Sequence, residues 1–206
     1  MPRQNRVTPL GDIIATPERG TFFGNRGVLH DDQGHIRRAW QLRRWLICLL
    51  EFKGRWRAIL TPGRYTELFF LDEATGLAAG HRPCAECRRE RYNAFREAWR
   101  VGNGGELLPA DEIDQRLHAE RVTAEGAKRF CLANLDELPG GVFVRQTGWG
   151  ETPYLVWGDE LLVWTPGGYA GRIDRPADVA VEVLTPASTV RTIRAGYVPG
   201  VHPTAR

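Results

Sequence analysis

The chain is short of the residues that staple small secreted domains and of those that build membrane spans. Four cysteines in 206 residues do not make a disulfide framework, so the C-x2-C pair at Cys84 and Cys87 reads as a metal or redox pair in a reducing compartment. The redox reading lacks the preceding strand of a thioredoxin-like arrangement. No run of about 18 apolar residues occurs, and MPRQNRVTPLGDII has charge without an apolar core of signal-peptide length behind it. Neither membrane insertion nor export is therefore expected, and the expected location is cytoplasmic. The P-loop, the G-x-G-x-x-G fingerprint, the G-x-S-x-G elbow and H-E-x-x-H are all missing, which removes the commonest nucleotide-dependent, serine-hydrolase and zincin chemistries. There is no internal repeat and no low-complexity tract.

What is present suits a folded chain: 42% of residues are hydrophobic and 26% charged, enough for one generous domain or two small ones. Net charge is only +3, but residues 36–65 hold eight basic side chains (Arg37, Arg38, Arg43, Arg44, Lys53, Arg55, Arg57 and Arg64) against the single acid Glu51. Such an asymmetry suits either a polyanion-binding face or a solvated sheet face. Arginine supplies 26 of the 28 basic residues, a bias that a GC-rich genome produces without any functional cause. Trp40, Trp45 and Trp56 interleave with these cations. Aromatics among arginines can stack unpaired bases while guanidinium groups hold phosphate, or they can be core with the arginines as its rim.

Taken in order, residues 1–10 read as a frayed arm and residues 11–15 as a short strand. ERGTFFGNRGVLH reads as a β-hairpin turning near Gly24 and Asn25, with Asn25, Arg26 and His30 close together and Arg26, flanked by Gly24 and Gly27, placed to approach phosphate. Residues 36–61 suggest a second hairpin, RWLICLLEF and RWRAIL about a turn at Lys53–Arg55, with Cys48 in its apolar core. A strand over residues 67–71 leads to a helix over 72–79, with Asp72 as N-cap and Gly80 as the C′ residue. The next helix is expected from Pro83 to Trp99, with Tyr92, Phe95 and Trp99 inward, followed by a GNGG linker. A third helix spans about Pro109 to Val122 and puts Asp114, His118 and Arg121 on one face, either a metal ligand backed by a carboxylate or an ion-pair ladder. GAKRFCLANLDEL reads as helical with Cys131 buried. Beyond Pro139 the pattern turns to strands near residues 142–144, 154–156, 161–164 and 179–184, with Trp149, Trp157 and Trp164 as core, and the chain closes in a short helix from Ser188 to Gly196.

The densest chemistry lies between Thr66 and Trp99. There LDEATGLAAGHRPCAECRRERYNAF resembles the end of the zinc domain of the Ada DNA-alkylation repair proteins, in which an apolar strand leads to a short helix, a glycine and Arg-Pro-Cys-x2-Cys. The likeness covers residues 67–95 and implies a zinc ion in contact with DNA. In that family two further cysteines lie upstream and one zinc-bound thiolate takes a methyl group from a DNA phosphotriester. The corresponding positions fall near Lys53 and Arg57, so the upstream cysteine pair is absent and methyl transfer is not implied. The whole chain also resembles a bacterial family of uncharacterised proteins with GNRG-x-LH and GHRPCAECRR motifs, which implies no activity. His118 and Glu120 form an H-x-E similar to part of the zinc deaminase signature, but the cysteine pair precedes it instead of following.

Zinc wants four nitrogen or sulfur ligands. Cys84 and Cys87 come first; the remaining soft donors are His81, His30, His118, His35, Cys48 and Cys131, of which His118, His30 and His81 rank next, and two reduced thiols without metal is the alternative. The expected fold class is α+β: N-terminal β-hairpins and helices around the C-x2-C junction (residues 1–103), a helical segment (104–138) and a small antiparallel C-terminal sheet (139–206). The expected function is binding of nucleic acid, DNA above all, in repair or regulation with a structural zinc, the phosphate contacts coming from Arg26, Arg37, Arg38, Arg43, Arg44, Arg55, Arg57 and Arg64. A metal-dependent hydrolase or deaminase using Glu86 or Glu120, and a metal-free protein-interaction module, are the alternatives.

Overall fold

The computed structural model describes residues 1–55 and 58–206. The class is α+β, with two six-stranded sheets and four helices among the described residues. The first sheet has the order β2-β1-β5-β3-β4-β6, built from β1 (Gln4–Val7), β2 (Ile13–Ala15), β3 (Phe22–Asn25), β4 (Leu46–Cys48), β5 (Leu68–Phe70) and the two-residue β6 (Arg82–Pro83). It is mixed: β1 runs parallel to β5, β4 runs parallel to β6, and β3 is antiparallel to both its neighbours. The second sheet is antiparallel throughout, in the order β11-β10-β9-β8-β12-β7. Its strands are β7 (Cys131–Asn134), β8 (Phe143–Arg145), β9 (Tyr154–Trp157), β10 (Glu160–Thr165), β11 (Gly168–Asp174) and β12 (Ala180–Val183).

Helices α1 (Glu73–Ala78), α2 (Arg89–Gly102), α3 (Ala110–Arg121) and α4 (Ala187–Arg194) complete the molecule. The main core draws on Val7, Ile47, Phe70, Phe95, Trp99, Ile113, Leu117, Val144, Val181 and Ile193, so residues 1–103, 104–138 and 139–206 share one apolar interior. Helix α1 keeps its sequence signals. Asp72 caps it by accepting the Thr75 amide at 2.8 Å, and Gly80 follows at φ +91, where a Cβ would collide with Arg121.

Alternation along the first sheet sets two faces. The cross-strand partners Gly24, Ile47 and Leu68 lie on one face with Phe22 and Phe70, while Phe23, Cys48 and Phe69 lie together on the other. Gly24 is therefore not a turn residue but the centre of a sheet. A Cβ there would stand 2.4 Å from the Leu46 carbonyl oxygen and 2.4 Å from Phe70.

Several expectations are corrected by pairing that sequence periodicity does not contain. The hairpin about Gly24 and Asn25 is replaced by a single strand, β3, between β4 and β5. The strand expected over RWLICLLEF keeps only Leu46–Cys48, and Leu49 and Leu50 are exposed. Trp56, in the expected second strand of that hairpin, lies outside the described residues along with Arg57. The helix expected from Pro83 begins at Arg89, because Pro83 pairs with Ile47 in β6 and residues 85–88 form turns. GAKRFCLANLDEL forms β7 and a 3-10 turn, since Cys131–Asn134 pairs with all four residues of β12. Strand β11, in a stretch where the sequence pattern predicts no strand, completes a hairpin with β10.

At the interface between the sheets Glu73 is fully buried. It meets Arg88 at 2.9 Å and Arg91 at 2.6 Å, and accepts from the Tyr197 hydroxyl at 2.6 Å and the Gly200 amide at 2.8 Å. Removing one partner of such a buried pair leaves an uncompensated charge. Glu73→Gln is expected to lower unfolding free energy by about 3 kcal/mol, read as a fall in the urea midpoint. An unchanged midpoint would show that this network contributes nothing net.

Candidate metal centre

The cysteine site is built by strand register. Leu46 pairs with Arg82 and Ile47 with Pro83, so the next step along both strands brings Cys48 beside Cys84. The Cys84 amide donates to the Ile47 carbonyl at 2.9 Å, which holds that step in place. The turn between β6 and α2 then carries Cys87 back, and the sulfurs of Cys48, Cys84 and Cys87 all lie within 4.8 Å of one another. Three thiols at this spacing could hold a metal ion. The C-x2-C geometry comes from this turn, not from the first turn of a helix.

The electrostatics lower the pKa of two of the three thiols. A hydrogen bond from the Cys48 thiol draws the Cys84 pKa down to about 5 against the opposing effect of burial, and the amides of Cys87 and Glu86 act in the same downward direction. The Glu86 amide reaches the Cys84 sulfur at 3.4 Å. Cys87 is lowered by the Cys48 hydrogen bond first, with the Leu49 amide helping. Cys48 is raised by its hydrogen bonds to Cys84 and Cys87 and by burial. Thiolates are the metal-binding form, and donors of this kind favour soft or borderline cations.

All three cysteines line a cleft of about 900 Å³ on the face that carries Phe23 and Phe69. Leu46, Leu49, Leu50, Phe52 and Ile59 give it apolar walls, while Arg55, Arg64, Glu67 and Glu86 supply charge of both signs. Phe23 lies 5.9 Å from Tyr65 and 6.1 Å from Phe69, ring to ring, and Arg6 stacks on Phe69 at 4.8 Å. Arg55 pairs with Glu86 at 2.7 Å and is held up by it, with a further contribution from Cys87 and Cys84.

The three histidines named as ligands lie elsewhere. His30 is engaged by the Thr66 hydroxyl at 2.6 Å and the Thr61 carbonyl at 3.3 Å. His81 sits on the opposite sheet face between Trp45 and Phe70, its Nε2 accepting from Arg26 Nε at 3.3 Å. Burial first, then Arg26 and Arg121, push its pKa well down and keep it neutral. His118 packs edge-on against Trp40 at 4.5 Å, and burial with Arg121 and Arg43 lowers its pKa to about 4. No histidine nitrogen joins the sulfur cluster among the described residues. Glu120, weighed as a proton carrier, is tied to the Ser188 hydroxyl at 2.6 Å, and only Glu86 of that pair lines the cleft.

Of the arginines, Arg26 is 1% exposed and faces inward, donating to the Gly11 carbonyl at 2.9 Å and stacking on Trp45 at 4.1 Å. Burial lowers its pKa to about 9. Arg121 covers the other side of that indole at 3.8 Å. Arg26 and Trp45 are thus interior, not contact groups. Arg37, Arg38, Arg43, Arg44, Arg55 and Arg64 are exposed, Arg37 pairing with Asp31 at 2.6 Å. Arg38, Arg43, Arg44 and Arg64 have no ion-pair partner among the described residues. Arg57 lies outside them. Asp114, placed with His118 on one helix face, instead takes a bidentate contact from Arg82 at 2.9 and 2.6 Å.

One cysteine assignment is reversed and one is extended. Cys48 is buried as expected, yet its sulfur belongs to the cluster; Cys131 is exposed. Nothing local marks Cys48 as a ligand, because Leu46, Ile47 and Cys48 are all apolar and only register with β6 separates their faces. No family model, curated protein or solved structure matches this chain.

Thiol labelling reports this partition directly. In reduced protein, added metal ion is expected to protect Cys48, Cys84 and Cys87 from a maleimide while Cys131 remains reactive. Protection of only Cys84 and Cys87 would remove Cys48 from the site.

Proposed function

We propose that this is a DNA-binding protein in which a zinc ion, held by Cys48, Cys84 and Cys87, fixes the sheet edge from which the contact surface is built. The observation that supports it best is the convergence of three sulfurs within 4.8 Å beside a cleft lined by aromatic rings and arginines. Zinc is the preferred ion because it takes thiolates, has no redox chemistry of its own and suits tetrahedral sulfur sites. The metal would join β4 to the turn that starts α2, two elements otherwise joined by the short β4–β6 pairing.

The DNA reading rests on charge and stacking surface together. Arg38, Arg43, Arg44 and Arg64 supply exposed guanidinium groups that form no ion pair among the described residues. Phe23, Tyr65 and Phe69 are half-buried rings on the cleft side. An unpaired strand uses both features, with phosphates on arginine and bases on aromatic faces.

Elemental mass spectrometry on untagged protein is expected to find one zinc per chain, lost in Cys84→Ser and in Cys48→Ser. Fluorescence anisotropy with a labelled single-stranded oligonucleotide is expected to show affinity falling with salt. Each arginine removed from the contact should reduce the log–log salt slope by about 0.7, so Arg43→Ala/Arg44→Ala should flatten it by about 1.4. Binding indifferent to salt, or no binding, would reject the DNA reading. Zinc surviving both cysteine substitutions would reject the metal site.

A further inference from the structure

The sulfur cluster is one donor short. Zinc takes four ligands at tetrahedral spacing, and no aspartate, glutamate or histidine donor joins the three sulfurs among the described residues. Trp56 and Arg57, outside that set, carry no side-chain metal ligand. A structural site that only pins elements together is closed by four protein ligands, whereas a site with three keeps a position for an exchangeable one. Because Cys48, Cys84 and Cys87 all border the cleft, that position is reached from it.

The chemistry of the donors selects the ligand. Zinc with three thiolates carries a net charge of about −1 and is a weak acid toward water but a good partner for a further sulfur donor. Besides the sulfurs, the cleft is lined by the apolar Leu46, Leu49 and Phe52 and by the charged Arg55, Arg64, Glu67 and Glu86, so two guanidinium groups stand on the wall of the same cleft as the cysteines. Arg55 is exposed and shared with the equally exposed Glu86, so an incoming anion can reach it. The cleft, at about 900 Å³, is of the size that takes small molecules.

We infer that the centre binds a low-molecular-weight thiol bearing a carboxylate or phosphate, its sulfur completing the zinc tetrahedron and its anionic group resting on Arg55 and Arg64. On binding, the S–H bond breaks, the proton passes to solvent, a Zn–S bond forms and any water on the metal leaves; nothing is oxidised or reduced. The inference rests on the zinc site proposed above and gives the metal a fourth ligand of its own; that ligand shares Arg64 with the proposed DNA surface and leaves Arg38, Arg43 and Arg44 to DNA alone.

Cobalt(II) occupies tetrahedral thiolate sites and reports each sulfur by its charge-transfer absorption. Wild-type protein loaded with cobalt in thiol-free buffer is titrated with 3-mercaptopropionate, with ethanethiol and with propionate. The expected result is a saturable gain in sulfur-to-cobalt absorption with both thiols and none with propionate. Arg64→Ala and Arg55→Ala should weaken 3-mercaptopropionate by about tenfold, the effect of losing a charge-assisted contact, and leave ethanethiol unchanged. Cobalt bound with a spectrum indifferent to thiol, or one that responds equally to propionate, would overturn this inference and leave the zinc site standing. Failure to bind cobalt at all would overturn both.

Discussion

Two consecutive carboxylates, Asp72 and Glu73, hold this molecule together. Asp72 caps α1, and its other oxygen accepts from the Tyr169 hydroxyl at 2.7 Å and the His202 amide at 2.9 Å. Glu73 gathers Arg88, Arg91, Tyr197 and Gly200. One dipeptide at the end of β5 thereby ties the first sheet to the second sheet, to the segment after α4 and to the start of α2. Both tyrosine hydroxyls are raised by burial and then by their carboxylate, so they remain donors. Buried carboxylates are tolerable only when fully engaged, and here the partners come from four places: α1 itself, the start of α2, β11 and the segment after α4.

That junction also positions the cysteine turn. Arg88, the residue after Cys87, is buried against Glu73 and stacks on Phe22 at 4.4 Å, so the turn carrying Cys84 and Cys87 is anchored at its far end. Its near end is held by β6 on β4. The sulfurs therefore sit on a framework fixed from both sides, which suits a centre whose remaining ligand exchanges.

The two faces of the first sheet do different work. Its inner side carries a stack of Arg26, Trp45 and Arg121 with neutral His81 alongside. These buried cations are satisfied largely by main-chain carbonyls of Gly11, Ala39, Gly80 and Arg43, which lets them clamp loops without carboxylate partners. Arg121 is lowered to about 8 by burial first and by Arg26 next. The outer side carries Cys48, Phe23 and Phe69 and opens to the cleft. The GNRG and GHRP motifs thus contribute mainly interior residues, and a motif rich in arginine and histidine proves to be architecture.

Periodicity and capping were enough to place α1, α3, α4 and most strands of the second sheet, because those signals are local: Asp72 three residues before Thr75, or alternation over residues 154–164. The α+β class and the C-terminal antiparallel sheet follow from them, and Cys84 and Cys87 stand out by spacing alone. Pairing across long separations lay beyond such signals. It made Gly24 a sheet centre, turned Cys131–Asn134 into a strand on β12, started α2 six residues after Pro83, and buried Arg26 instead of exposing it. The third sulfur is the sharpest case. Sequence determined that two thiols lie three residues apart; only the parallel register of β4 on β6, set 36 residues apart in the chain, decided that Cys48 and not a histidine joins them, because a one-residue shift would turn its side chain to the other face.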